Sequence, residues 1–120
     1  MADKKYVTFY EGEFRDQKFE GIGRKSMHKK KTVYEGQFIA GKEDGFGRVL
    51  LNGGENMIVA NFSKGLMHGV VCTYRKGKLE SISEYFEGKK DGLTIHMNAR
   101  GKDRDLSFYD SGVLEKFISG

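Results

Sequence analysis

Proline and tryptophan are missing from these 120 residues, cysteine occurs once, at Cys72, and no apolar run approaches the length of a bilayer. Each absence excludes something. A single thiol closes no internal disulfide, so the fold must rest on packing and hydrogen bonds, and a reducing compartment is its expected setting. A helix that spans a membrane needs about 18 consecutive apolar residues, and the opening MADKKYVTFYEGEF has no apolar core of the kind a secretory signal carries. We therefore expect a cytoplasmic protein, with peripheral attachment to a membrane or to a larger assembly as the other location. An excess of one charge is missing too. The net charge is +4 from 21 basic and 17 acidic residues, and the surplus is spread evenly over both halves, so no basic arm marks a nucleic-acid binder.

What the chain does contain is glycine, at 17 positions, with nine phenylalanines and six tyrosines. Aromatics fit a pleated surface and glycine fits tight turns, so this composition favours strands over helices. The order of these residues is more informative than their number. YEGEFRDQKFEGIGR (10–24) reappears 24 positions later as YEGQFIAGKEDGFGR (34–48). Tyr10 then matches Tyr34, Gly12 matches Gly36, Phe14 matches Phe38, and Gly21 and Gly23 match Gly45 and Gly47. The beat continues more weakly through Phe62, Gly65 and Gly69, then Tyr85, Gly88 and Gly92, and last Tyr109 and Gly112.

A shorter period runs inside the long one. Gly41, Gly53, Gly65, Gly77, Gly88, Gly101 and Gly112 are 12, 12, 12, 11, 13 and 11 residues apart. Turn signals at that spacing, between runs such as ENMIVANF, GVVCTY and LESISEYF, predict consecutive antiparallel strands. Each 24-residue unit is then one β-hairpin. The expected fold is all-β: a single-layer twisted antiparallel meander of about five tandem hairpins. It forms one domain over 1–120, with units near 6–29, 30–53, 54–77, 78–101 and 102–120. Gly21, Gly45, Gly65, Gly69, Gly88, Gly92 and Gly112 are its expected turn glycines.

The segment YEGQFIAGKEDGFG (34–47) resembles the MORN repeat (membrane occupation and recognition nexus) at every position of that pattern, and the first unit departs from it at Gln17 alone. Toward the C-terminus, YRKGKLES (74–81) and YDSGVLEK (109–116) are more similar to the variant repeat of bacterial antitoxin-annotated proteins. The resemblance implies an elongated single-layer sheet with aromatics along one face, and repeats that carry no catalytic chemistry themselves. An antitoxin-like or viral inhibitor of one target protein is implied by the C-terminal units only.

No catalytic, cofactor-binding or metal-ligating constellation stands out. His68 occupies a slot that holds Glu20, Asp44 and Asp91 in other units, which marks a polar position beside a turn. His96 has no carboxylate or thiol at metal-ligand spacing. Cys72, in GVVCTY, reads as a small apolar strand residue. The Gly-x-Gly pairs lack the third glycine of a phosphate loop, and they recur with the repeat.

Two candidate surfaces remain. Tyr10, Phe14, Tyr34, Phe38, Phe62, Tyr85 and Tyr109 form rows across the expected sheet, where they serve as shared core, as protein-docking surface, or as both. The run RKSMHKKK (24–31) holds Arg24, Lys25, Lys29, Lys30 and Lys31. It is either an anchor for anionic phospholipid or a solvated turn whose lysines discourage edge pairing. The expected function is a non-enzymatic protein-binding module, acting as adapter, accessory subunit or inhibitor. Its expected partner is another protein, with an anionic membrane surface as the alternative, nucleic acid not expected, and self-association through edge strands as a further outcome.

Overall fold

The structure, a computed structural model, describes residues 8–27, 31–98 and 104–120. Among these residues ten strands follow one another: β1 (Thr8–Arg15), β2 (Lys18–Met27), β3 (Thr32–Ile39), β4 (Lys42–Leu51), β5 (Asn56–Ser63), β6 (Leu66–Arg75), β7 (Lys78–Phe86), β8 (Lys89–Met97), β9 (Arg104–Asp110) and β10 (Val113–Ile118). They make one antiparallel sheet whose spatial order is the chain order. The expected all-β meander of hairpins is the observed fold.

Two-residue turns close the hairpins, and both of their residues have positive φ. The pairs Ala40–Gly41, Lys64–Gly65, Glu87–Gly88 and Ser111–Gly112 have φ of 48–50° at the first position and 85–89° at the second. This is the type I′ geometry, whose twist matches that of the flanking strands. Glycine takes the second position without a Cβ clash, whereas Ala40, Lys64, Glu87 and Ser111 occupy the left-handed region at some cost. In the first hairpin the pair is Asp16–Gln17, with φ of 51° and 66°.

Gly65, Gly88 and Gly112 are turn residues, as expected. Gly21, Gly45, Gly69 and Gly92 are not: they lie inside β2, β4, β6 and β8, where the register breaks. In the second hairpin Gly36 faces Gly47 and Phe38 faces Glu43. Gln37 alone therefore opposes Asp44, Gly45 and Phe46. The extra residues form a bulge, and Gly45 (φ 98°) takes the turn of the backbone that a side chain would resist. Gln37 Oε1 accepts the Phe46 N–H at 2.8 Å, so the bulge leaves that donor satisfied. Glu13 does the same for Ile22 at 2.9 Å, and Glu84 for Leu93 at 2.8 Å. The glycine period in the sequence thus mixes two devices, turns and bulges, that both require positive φ.

Successive hairpins are pinned to one another at their turns. The Gly41 N–H donates to the Phe19 carbonyl at 2.9 Å, and beside it the Ala40 N–H donates to Glu20 Oε1 at 3.2 Å. The pair recurs one hairpin later, where Gly65 bonds the Glu43 carbonyl at 2.8 Å and Lys64 bonds Asp44 Oδ2 at 3.1 Å. It recurs again at Glu87, which donates to His68 Nδ1 at 3.4 Å, and at Ser111, which donates to Asp91 Oδ1 at 3.1 Å. The slot shared by Glu20, Asp44, His68 and Asp91 is therefore a cap for the next hairpin's turn, which is more than an exposed polar position.

The sheet measures 48 × 28 × 26 Å. Ten strands at roughly 4.8 Å spacing account for the long dimension. A flat single layer would be far thinner than 26 Å; the twist that accumulates from strand to strand sweeps out that thickness. Tyr34, Phe38, Ala60, Phe62 and Val71 form the buried core, and Tyr10, Phe19, Val49, Ile58, Met67 and Tyr85 pack around it.

Candidate functional site on the two faces of the sheet

Register and alternation divide the side chains between an inner face, which carries the core, and an outer face. On the inner face Tyr34 sits edge-on to Phe38, with ring centroids 5.0 Å apart, and to Phe62 at 5.2 Å. Tyr10 stacks on Phe19 at 3.8 Å and meets Phe38 edge-on at 5.2 Å. Phe38 is only 1% exposed. Of the aromatics expected as shared core or docking surface, Tyr34, Phe38 and Phe62 are buried in the core. Tyr10, Tyr85 and Tyr109 are half-buried, and Phe14 is exposed. Mutual packing of the rings within and across nearby strands is the reason.

The tyrosines explain the glycine pairs. Tyr34 Oη donates to the Gln37 carbonyl at 2.8 Å, which lays the ring across Gly36 and Gly47. A Cβ on Gly36 would fall 2.6 Å from the Gly47 Cα and 2.7 Å from Tyr34 Oη. Tyr10 makes the same bond to Glu13 over Gly12 and Gly23. In the third unit Ile58 stands in the tyrosine position, and the facing pair is Ala60 and Val71. In the fourth, Ser81 stands there, and the pair is Ser83 and Thr94. As the covering side chain shrinks, the covered ones grow. Burial pushes the Tyr34 hydroxyl up to about 12.

The outer face has two regions along one register row. Glu11, Arg24, Glu35 and Arg48 face one another across β1–β4. Glu35 accepts from Arg24 Nε at 2.8 Å and from Arg48 Nε at 2.7 Å. These guanidinium bonds, Arg48's first, hold its carboxyl below the usual glutamate range against a smaller opposing effect of burial. Beyond Arg48 the same row continues as Val59, Cys72, Ile82, Ile95 and Leu106, so charge gives way to apolar surface.

Beside this row runs an apolar ribbon that the sequence reading missed. Ile22, Phe46, Val70 and Leu93 are the residues between or after the bulge glycines, 24, 24 and 23 positions apart. All are exposed, Ile22 at 62% and Phe46 at 57%. Between the first two lies an open groove of about 510 Å³, lined also by Arg48, Met57 and Val59. The signal was present in EGIGR and DGFGR. In each, the second glycine, Gly23 or Gly47, faces the tyrosine, so the residue just before it faces the other way.

The basic run does not gather into one patch among the described residues. Arg24 lies on the outer face bound to Glu35, whereas Lys25 lies on the inner face with its Nζ 2.8 Å from Glu43 Oε2. Strand alternation separates these neighbours in sequence, and each is already paired. Lys31 is exposed in a turn, while Lys29 and Lys30 fall outside the described residues. No group of three or more His, Cys, Asp or Glu side chains among the described residues could hold a metal ion. No helix among them is long and apolar enough to cross a membrane.

Comparison with known families agrees with the geometry. No curated protein matches the chain. The model of the MORN repeat matches residues 10–26 and 34–53, the two units in which a tyrosine covers a pair of glycines and an arginine joins the outer ladder. The first two hairpins are thus similar to MORN repeats, and the later units keep the hairpin while replacing the tyrosine.

Proposed function

We propose that this protein is a non-catalytic binding module that holds a protein partner against the outer face of its sheet. The observation that carries the reading is the exposed ribbon of Ile22, Phe46, Val70 and Leu93, repeated once per hairpin. Exposed apolar side chains repeated at a fixed period on a folded domain are apt anchors for a partner. Each hairpin advances the ribbon by two strands, roughly 10 Å. A helix advances about 10.5 Å per seven residues, so an amphipathic helix laid across the strands with one apolar side chain per heptad keeps step with it. The flanking ladder of Glu11, Arg24, Glu35 and Arg48 supplies a polar rim at the N-terminal end of the ribbon. An inhibitor of a single target, the role implied by the resemblance of the C-terminal units, is one form of this reading and would use the same face.

The test is capture of partners from the native source by the wild-type chain, by Phe46→Asp and by Lys31→Glu, with melting temperatures measured for all three. We expect one protein to be retained by wild type and Lys31→Glu and lost from Phe46→Asp at unchanged stability. Retention by Phe46→Asp and loss from Lys31→Glu would move the site to the run 24–31 and make anionic vesicles the next ligand to try.

A further inference from the structure

The last strand, β10, has β9 on one side and, among the described residues, no strand on the other. Its residues VLEKFI are all exposed. Val113 is 63% exposed, and Leu114, Phe117 and Ile118 are each more than half exposed. Edge strands of stable monomers are usually short, charged or covered. This one presents apolar side chains on both faces.

The order of those residues is self-complementary. Turning the strand antiparallel to itself about the point between Glu115 and Lys116 sets Val113 against Ile118, Leu114 against Phe117, and Glu115 against Lys116. For two copies to join into a continuous sheet, opposed residues must also lie on the same face. A regular strand fails that condition at this register, because neighbouring residues point to opposite faces. β10 is not regular: Leu114 faces Tyr109 and Lys116 faces Phe108, so Glu115 is an extra residue at a bulge. Glu115 and Lys116 consequently lie on the same side, and both line the outer-face groove with Leu93, Phe108 and Ile118. Along β10 the faces then read outer, inner, outer, outer, inner, outer, which is the same in both directions.

The backbone meets the same condition. Val113 faces Asp110 across the two-residue turn, and in such a hairpin that pair carries the mutual backbone bonds. Leu114 therefore directs its N–H and C=O away from β9, and after the bulge Phe117 does likewise. These are the residues that the self-complementary register sets opposite each other.

We propose that two copies of this chain associate through antiparallel β10–β10 pairing, in the register that sets Glu115 against Lys116 of the second copy. The apolar pairs drive the association, and the charges fix the register. The interface is isologous, so it closes at a dimer.

The test is sedimentation equilibrium of the full chain, of Glu115→Lys, of Lys116→Glu, of the double swap, and of the two single variants mixed. We expect a dimer for wild type and a Kd raised about tenfold by each single change, because like charges then oppose one another at both symmetric positions. The double swap should restore the dimer. The equimolar mixture should form a heterodimer, since the lysine introduced by Glu115→Lys then faces the glutamate introduced by Lys116→Glu. Both side chains are exposed, and unchanged melting temperatures at dilution confirm that folding is intact. A wild-type monomer at all concentrations, growth into polymers, or a dimer indifferent to the swaps would each overturn the proposal.

Discussion

Tyr34 lies over Gly47 so closely that a Cβ on that glycine would come within 2.6 Å of the ring carbons Cε2 and Cζ. In the third unit the corresponding residues are Ile58 and Val71. The two units are alternative solutions to one packing problem, a large side chain over a bare backbone or a medium one over a filled backbone.

Gly47→Val alone should therefore destabilise the protein by about 3 kcal/mol, the scale of a severe overpacking. Combining it with Tyr34→Ile and Gly36→Ala rebuilds the third unit's solution in the second, and most of the loss should return. Urea midpoints at neutral pH check this. Equal midpoints for the single and triple variants would refute the exchange.

The turn geometry predicts an easy gain. Lys64 holds φ near 50° in a position that asparagine adopts with less strain. Lys64→Asn should raise stability by about 0.5 kcal/mol, whereas Lys42→Asn, in a strand, should not. Thermal melts of the two variants beside wild type decide it.

The caps between hairpins can be tested residue by residue. Asp44→Ala removes the acceptor of the Lys64 N–H, and the cost should be about 1 kcal/mol. Amide exchange should accelerate at Lys64 and Gly65 before it does in the strands. His68 is the weakest of the four caps by distance, so His68→Asp, which installs the residue used by two other units, should slow exchange at Glu87.

Two titrations bracket the pH range. The Glu35 carboxyl is depressed in the fold, so its contribution is complete above the ordinary value of 4.5 and is lost as pH falls through the lower folded value. The Tyr34 hydroxyl is raised from 10.0 to about 12. Its contribution is complete below the ordinary value of 10.0 and is lost as pH rises toward about 12, where the unfolded chain releases the proton first. Glu35→Gln should flatten the acid limb of the stability profile. Tyr34→Phe should cost about 1 kcal/mol at neutral pH, for the lost bond to Gln37, and reduce the slope of the alkaline limb.

The sequence by itself determined the hairpin count and the meander. Both follow from local chemistry, because a glycine spaced every 11–13 residues between alternating runs admits few other backbones. Tyr34, Phe38 and Phe62 could be aligned into rows without coordinates, since register across hairpins follows from turn length. Whether those rows were core or docking surface was decided only by the tertiary structure. Phe38 is 1% exposed because Tyr10, Phe19 and Tyr34 pack edge-on against its ring from the same and nearby strands. Strand alternation turns Ile22, Phe46, Val70 and Leu93 outward as exposed apolar surface. Alternation likewise splits Arg24 from Lys25, which adjacency in sequence had joined. A one-dimensional pattern records which residues share a row, but the packing of side chains across strands decides which rows are covered.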